Sequence, residues 1–364
     1  MPDTPAPPSS PRLPSQKTLA ARAGLVLLTP EDLTLTRRRA GRGFSYRDAD
    51  GRPIRDPDML RRLAALAVPP AYAEVRYAAD PCGHLQAIGR DAAGRLQYRY
   101  HPGWEKVREW RKARRLAAFA RALPKVRRVI GRDLGAGAPT RRFTLAAVVE
   151  LVALTAIRAG GEAYARNGTR GAATLLKSNV RLEEGKVILR FRAKGGQPQV
   201  REICVPRVVE VVRTLMALPG RRLFQYRAGD GAICLVRAGD VNAYLKQAAG
   251  AAISLKDFRT LVASASVLET LAATVPATSA RARRRQVLDA VRAAAEELAN
   301  TPAVCRRSYV HGAIVTAFED GALKRFAGLL RGCRSPARRA EVLADLMARA
   351  RLDLAPADPQ AVPA

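Results

Sequence analysis

The sequence predicts an α+β fold, with a small β-rich N-terminal domain followed by a larger, mainly α-helical one. Three observations carry this prediction. Short segments with period-two alternation, separated by Pro, Gly and Asp turns, fill residues 24–103. Beyond Pro102 and Gly103, apolar residues recur at helical spacing. A pair of strand-like segments, 187–191 and 200–205, interrupts the helical stretch around Lys194, Gly195 and Gly196.

The elements follow in order. Residues 1–23 are rich in Pro, Ser and Ala, with almost no large apolar side chain, and read as a disordered tail. Phe44, Ser45 and Tyr46 form a strand that runs into an Asp-Gly turn. A short helix over 59–66 is broken by Pro69 and Pro70. Strands follow at 74–77 and 85–88; a turn at 91–94 leads to a returning strand over 96–101. In the second domain, 104–330, a long basic helix over 105–123 precedes a nearly continuous apolar helix over 144–156, which should be buried. After the hairpin come helices over 256–271, 280–298 and 309–326. Residues 331–364 read as one more helix, over 335–350, and a Pro/Ala tail.

Charge narrows the function. The 364 residues hold 63 Lys and Arg against 32 Asp and Glu, a formal charge of +31. So basic a chain repels itself unless a polyanion is near. Nucleic acid fits better than a membrane surface, because no apolar run approaches the ~20 residues of a spanning helix. The charge is spread along the chain rather than held in one arm, as suits a protein that wraps its partner. The five cysteines, Cys82, Cys204, Cys234, Cys305 and Cys333, are odd in number and widely spaced. A disulfide framework and a zinc ribbon are both unsupported; a reducing cytoplasm fits, with all five as small buried apolar residues. The chain has no G-x-x-x-x-G-K-[ST] phosphate loop. The histidines are only His84, His101 and His311, and no cluster of Asp, Glu and His has metal spacing. No cofactor or metal is expected, so a basic enzyme of this kind must stabilise phosphoryl-transfer charge with its own cations.

Several residues stand out by context. Arg158 ends the buried apolar helix, where a charge is costly unless paired or functional. Lys194 sits at the hairpin tip beside two glycines, and Arg259 lies in Leu255-Lys256-Asp257-Phe258-Arg259-Thr260 at the start of an apolar helix. Taken singly, each has an ordinary reading: a helix-end cation, an exposed turn lysine, a local ion pair. Asn300 should cap the helix before it, and Pro302 enforces the break. Tyr309 then follows a basic polar segment and starts the next helix, where a lone tyrosine is ordinarily a packing residue.

The words around these residues change that weighing. Gly43-Phe44-Ser45-Tyr46, Pro69-Pro70-Ala71-Tyr72, Gly83-His84-Leu85-Gln86-Ala87 and Gln97-Tyr98-Arg99-Tyr100-His101-Pro102 occur in one order with Ile157-Arg158-Ala159-Gly160, Tyr164-Ala165-Arg166, Phe191-Arg192-Ala193-Lys194, Lys256-Asp257-Phe258-Arg259-Thr260 and the run from Asn300 to His311. Together they resemble the bacterial, poxvirus-like branch of the type IB DNA topoisomerases, over about Gly24 to Gly321. The resemblance implies a helical domain of the DNA breaking-rejoining, tyrosine recombinase-like type. It implies Tyr309 as nucleophile, Arg158 and Arg259 as holders of the scissile phosphate, Lys194 as general acid, and Asn300 at a position that is His or Asn in the family. Gln97, Tyr98, Tyr100 and Tyr164 match DNA-contacting positions. Gly161, the segment 167–170, Leu261 (where many members have Trp) and Gly312 (where Pro is common) depart from the pattern without removing a catalytic residue.

These residue types suit strand transfer. Guanidinium forks can bind equatorial phosphoryl oxygens and stay charged. A lysine can protonate a departing 5′-oxygen, and a phenol with a pKa of ~10 is a good leaving group for resealing. The expected activity is ATP- and metal-independent relaxation of supercoiled double-stranded DNA through a 3′-phosphotyrosyl intermediate, by a monomer clamping its substrate in the cytoplasm, associated with the nucleoid. A tyrosine recombinase or integrase shares this logic but usually carries His where this chain has Lys256. A non-catalytic basic DNA-binding protein would not need the complete set Arg158, Lys194, Arg259, Asn300 and Tyr309.

Overall fold

The computed structural model describes residues 14–331, 333 and 335–349, and these divide into two compact units, one up to Lys112 and one from Ala113 onward. In the first unit, helix α1 (Gln16–Arg22) precedes strands β1 (Leu35–Ala40) and β2 (Gly43–Arg47), helix α2 (Pro57–Ala65), and strands β3 (Ala73–Tyr77), β4 (Leu85–Arg90) and β5 (Leu96–Tyr100). The five strands form one antiparallel sheet in the order β2-β1-β3-β4-β5. Its apolar contacts gather in small clusters, one of which packs Leu63 and Leu66 beside α2 against Leu35, Val75 and Tyr77 of the sheet. Arg62 ties the same helix down through Gln86 Oε1 and Ala78 O, both at 2.8 Å.

The expected disordered tail over 1–23 needs correcting where it is described, since α1 is an ordered helix. Ser15 caps it by accepting from the Thr18 N–H at 3.0 Å, and Leu19 and Ala20 bury themselves beside Trp104 and Val107. One leucine and one alanine suffice when an aromatic partner waits elsewhere in the chain. Residues 1–13 lie outside the described residues.

Helix α3 (Pro102–Gly135) contains the division between the units and carries Pro124 in its interior. The second unit continues with α4 (Arg141–Thr155), α5 (Glu162–Arg166), the antiparallel sheet β6 (Val180–Glu183), β7 (Lys186–Arg192) and β8 (Pro198–Ile203), then α6 (Pro206–Met216), the hairpin β9 (Gln225–Arg227) and β10 (Ile233–Leu235), and α7 (Ala238–Ala249). Six further helices follow: α8 (Leu255–Ala272), α9 (Ala280–Glu297), α10 (Pro302–Tyr309), α11 (Gly312–Glu319), α12 (Lys324–Leu330) and α13 (Pro336–Arg349). One continuous apolar core joins α4, α8 and α9 to the faces of the helices around them. The small β-rich region and larger helical region agree with the α+β expectation.

Two differences bear on the site. The apolar helix stops at Thr155, because Ala156 turns left-handed (φ 49, ψ 24), so Arg158 lies beyond the helix and not at its end. The expected helix over 309–326 is three pieces. Val310 is extended, and the His311 side chain caps α11 by accepting from the Ala313 N–H at 3.1 Å, so Tyr309 ends α10 and starts nothing. The cysteines also depart from expectation: Cys305 is buried, Cys204 is exposed, and Cys82, Cys234 and Cys333 lie between.

Candidate active site

Arg158, Arg259, Asn300 and Tyr309 converge in the second unit, delivered by the loop after α4, by α8, and by the C-terminal ends of α9 and α10. Arg158 reaches its place through a close backbone crossing. Gly160 has φ 84, and a Cβ on Gly171 would sit 2.5 Å from the Arg158 carbonyl oxygen. The crossing is sealed by hydrogen bonds from the Ala172 N–H to Arg158 O at 2.8 Å and the Ala173 N–H to Ala159 O at 2.9 Å. Only glycine lets two backbones approach so closely. At Gly161, by contrast, a Cβ would meet only Tyr164 at 3.8 Å, so that departure from the family pattern is sterically free.

Asn300 is placed by the end of α9. The left-handed position belongs to Ala299 (φ 47), and the Ala299 and Asn300 N–H groups close on Glu296 O at 3.0 Å and Ala295 O at 2.9 Å. This corrects the expectation that Asn300 itself caps the helix. Its side chain is thereby free to turn inward, where Oδ1 accepts from Arg158 Nη2 at 2.5 Å. That bond also fixes the carboxamide orientation, since a flip would set its NH2 against the guanidinium.

Tyr309 is the last residue of α10, whose start is fixed by Pro302 and by Thr301, which accepts from the Val304 N–H at 3.3 Å. Arg259, 3% exposed, sits one turn into α8 with its guanidinium carbon 4.9 Å from the centre of the Tyr309 ring. Its Nη1 donates to Ala156 O and its Nη2 to Leu298 O at 2.9 Å. These carbonyls cap the C-termini of α4 and α9, the negative ends of both helices. One cation therefore ties two helix ends to the tyrosine. The start of α8 is braced by the Ser254–Asp257 capping box and by Arg115, whose fork holds Asp257 at 2.9 and 2.7 Å.

The electrostatics follow from this packing. Burial alone would push the Tyr309 phenol up. The hydrogen bond and charge of Arg259, with the charges of Arg158 and Lys256, outweigh burial and hold the phenol below its usual pKa. Two donors in the cluster, Arg259 Nε and Asn300 Nδ2, are buried with no hydrogen-bond partner among the described residues. Each such group costs about 1–3 kcal/mol unless something accepts from it. Cations and unpartnered donors around a phenol make a seat for an anion.

Lys194 is not part of this network. It sits exposed at the β7–β8 tip beside Gly195 and Gly196 (φ 80 and 73), with its ammonium 5.9 Å from the ring of Tyr164. In the first unit, Gln97 donates to Asp91 Oδ2 at 2.9 Å, and Tyr98 and Tyr100 share a face of β5 with rings stacked at 6.1 Å. Tyr98 is 45% exposed and is not a core side chain, while Tyr100 is half-buried with the Arg108 guanidinium 4.8 Å from its ring centre. Tyr164, 58% exposed, is likewise open to a partner. Among the described residues no three His, Cys, Asp or Glu side chains gather as a metal site would require.

Sequence reasoning missed Gly171, Lys256 as a source of positive charge on the phenol, and Ser264, whose Oγ donates to the Tyr309 carbonyl at 2.9 Å. The one signal for Ser264 was a small polar residue on an otherwise apolar helical face.

A mixed fold of this plan, with a helical core closing on a tyrosine, is that of the DNA breaking-rejoining class. Residues 102–325 match the family described as eukaryotic DNA topoisomerase I, catalytic core, and residues 43–91 match bacterial DNA topoisomerase IB, N-terminal domain. The chain is also 30% identical over 282 residues to DNA topoisomerase 1B of Acanthamoeba polyphaga mimivirus, an alignment covering 75% of this chain and 84% of the viral protein. The chain belongs to the type IB DNA topoisomerase family.

Proposed function

We propose that this protein relaxes supercoiled double-stranded DNA by cutting and resealing one strand through Tyr309. The observation that carries the reading is a phenol held by Arg259, with its pKa drawn down, beside buried donors that have nothing to bind. A phosphodiester supplies what those donors lack.

In the forward step the Tyr309 oxygen attacks phosphorus. The bond from phosphorus to the phenolic oxygen forms, the bond to the 5′-oxygen breaks, and the phenolic proton is released. Lys194 gives a proton to the departing 5′-oxygen, leaving a 3′-phosphotyrosine and a free 5′-hydroxyl. Arg158, Arg259 and the Asn300 amide bear on the equatorial oxygens, where negative charge accumulates. Resealing is the reverse and needs no nucleotide, because the phosphodiester energy is kept in the phosphotyrosine. Rotation about the intact strand between the steps releases supercoils. Lys194 stands apart from the other four side chains, and its glycine-flanked tip lets a bound duplex draw it in. The Tyr164 ring beside it, and Gln97, Tyr98 and Tyr100 in the first unit, take up DNA backbone and sugars as the basic charge grips phosphates. The enzyme acts as a monomer in the cytoplasm, on the nucleoid. No described helix is long and apolar enough to cross a membrane.

Supercoiled plasmid, incubated with EDTA and without ATP, is relaxed by the parent protein and left supercoiled by Tyr309→Phe, with DNA binding retained. Binding weakens steeply with salt in proportion to the phosphates neutralised. Recombined products, or supercoils untouched by the parent, would overturn the proposal.

A further inference from the structure

Ser264 is a hydroxyl where the sequence has reason to place a methyl. It is fully buried on α8, next to Ala263 and near Val267 and Leu268, each also 0% exposed. Serines and threonines inside helices commonly donate to the carbonyl four residues back. Thr155, Thr214 and Thr270 do so here, to Leu151, Glu210 and Ser266 at 2.6, 3.0 and 3.1 Å. Ser264 instead reaches out of its helix and donates to the backbone carbonyl of Tyr309 at 2.9 Å. That carbonyl is the last of α10, one of the helix-end acceptors that a helix cannot satisfy from within.

The same helix therefore holds the same residue twice. Arg259 bears on the ring of Tyr309, and Ser264, five residues further along α8 and about 7.5 Å up its axis, holds the main chain of Tyr309. A rigid helix thus sets the spacing between guanidinium and phenol. We infer that Ser264 is a positioning residue for the nucleophile, fixing the end of α10 so that the Tyr309 oxygen stays against the Arg259 guanidinium where the phosphate must lie. This rests on the reading of Tyr309 as nucleophile. Ser264 touches no reacting atom. Its effect passes through Tyr309, and a misplacement of roughly 1 Å at a reacting group costs on the order of 100-fold in rate.

The test is single-turnover cleavage of an end-labelled duplex by excess full-length protein. Parent, Ser264→Ala, Ser264→Thr and Tyr309→Phe are compared across pH, with DNA affinity and melting temperature measured alongside. Ser264→Ala should cleave roughly 10- to 100-fold more slowly. Its DNA affinity should stay within about twofold, and its pH–rate profile should move to higher pH as the phenol slips from Arg259. Ser264→Thr, which keeps the hydroxyl, should recover most of the rate. A purely structural serine would lower the melting temperature and the active fraction but leave the rate and pH profile of the active fraction unchanged. That result, or cleavage by Ser264→Ala within twofold of the parent, overturns the inference. Should the alanine variant fail to fold, Ser264→Cys keeps the volume with a weak donor. An intermediate rate for it supports the inference and a parental rate overturns it. Mapping the covalent adduct separates the two readings. A parent adduct away from Tyr309 sinks the proposed nucleophile and this inference with it, whereas a Tyr309 adduct with an unaffected Ser264→Ala sinks only the inference.

Discussion

Replacing Arg259 by lysine keeps the charge and removes the fork. The guanidinium serves the carbonyls of Ala156 and Leu298 and the Tyr309 phenol at once, from a site only 3% exposed. An ammonium is a compact charge on a flexible stem and cannot span partners arranged for a planar group. At least one helix-end carbonyl then stays buried and unpaired, a loss of about 1–3 kcal/mol. In a unit of this size that lowers the melting temperature by roughly 2–4 °C per kcal/mol. Catalysis should fall further than stability. Losing one preorganised donor to a developing oxyanion costs about 100- to 1000-fold. The phenol, deprived of its hydrogen bond, returns toward its ordinary pKa, so the rising limb of the cleavage–pH profile should shift upward. Single-turnover cleavage against pH, calorimetry and DNA affinity measure these separately. An Arg259→Lys variant that cleaves within about threefold of the parent, with an unmoved pH limb and melting point, would refute the role assigned to the fork.

Three more outcomes follow from the geometry. Gly171→Ala drives a methyl into the Arg158 carbonyl, so it should cut cleavage at least tenfold and lower the melting temperature; a normal rate would show that Arg158 does not depend on this crossing. Ala299→Gly relieves a left-handed φ of 47 and should stabilise the protein by about 0.5–1 kcal/mol in denaturant titration; destabilisation would contradict the strained cap. His84 is half-buried with its pKa lowered by burial, and its Nδ1 accepts from the Leu28 N–H at 3.0 Å. Because the unfolded chain takes up the proton first, stability is full above about pH 6.5 and declines as pH falls toward the lowered native value. His84→Asn, which keeps an acceptor, should flatten this decline in melting temperature between pH 7.5 and 5.5; an unchanged slope would assign it elsewhere.

Local chemistry was legible before any coordinates. The strand at 85–88, the hairpin around Lys194 and the helices 256–271 and 280–298 announce themselves by periodicity and turn residues, which act over a few positions. The strand Leu35–Ala40 was unseen and the helix of Gln16–Arg22 was taken for tail, because their apolar residues are too few to show a period and are stabilised by distant partners such as Trp104 and Tyr77. Two of the misread helix ends, at Ala156 and Ala299, put alanine in a conformation that sequence rules reserve for glycine or asparagine. Packing enforces each, and both flank a carbonyl or side chain that the site uses.

By itself, the sequence determined the class of chemistry. Residue type decides what a side chain can donate, accept or expel, and the resemblance rests on residue types in order. Only the tertiary structure decided which groups meet. Arg158 and Asn300, like Ser264 and Tyr309, are far apart along the chain and close in space, and a single buried guanidinium joins the ends of two helices to the phenol. Hydrogen bonding and charge act through distance in space and through exclusion of water, and neither quantity is written in the order of the residues.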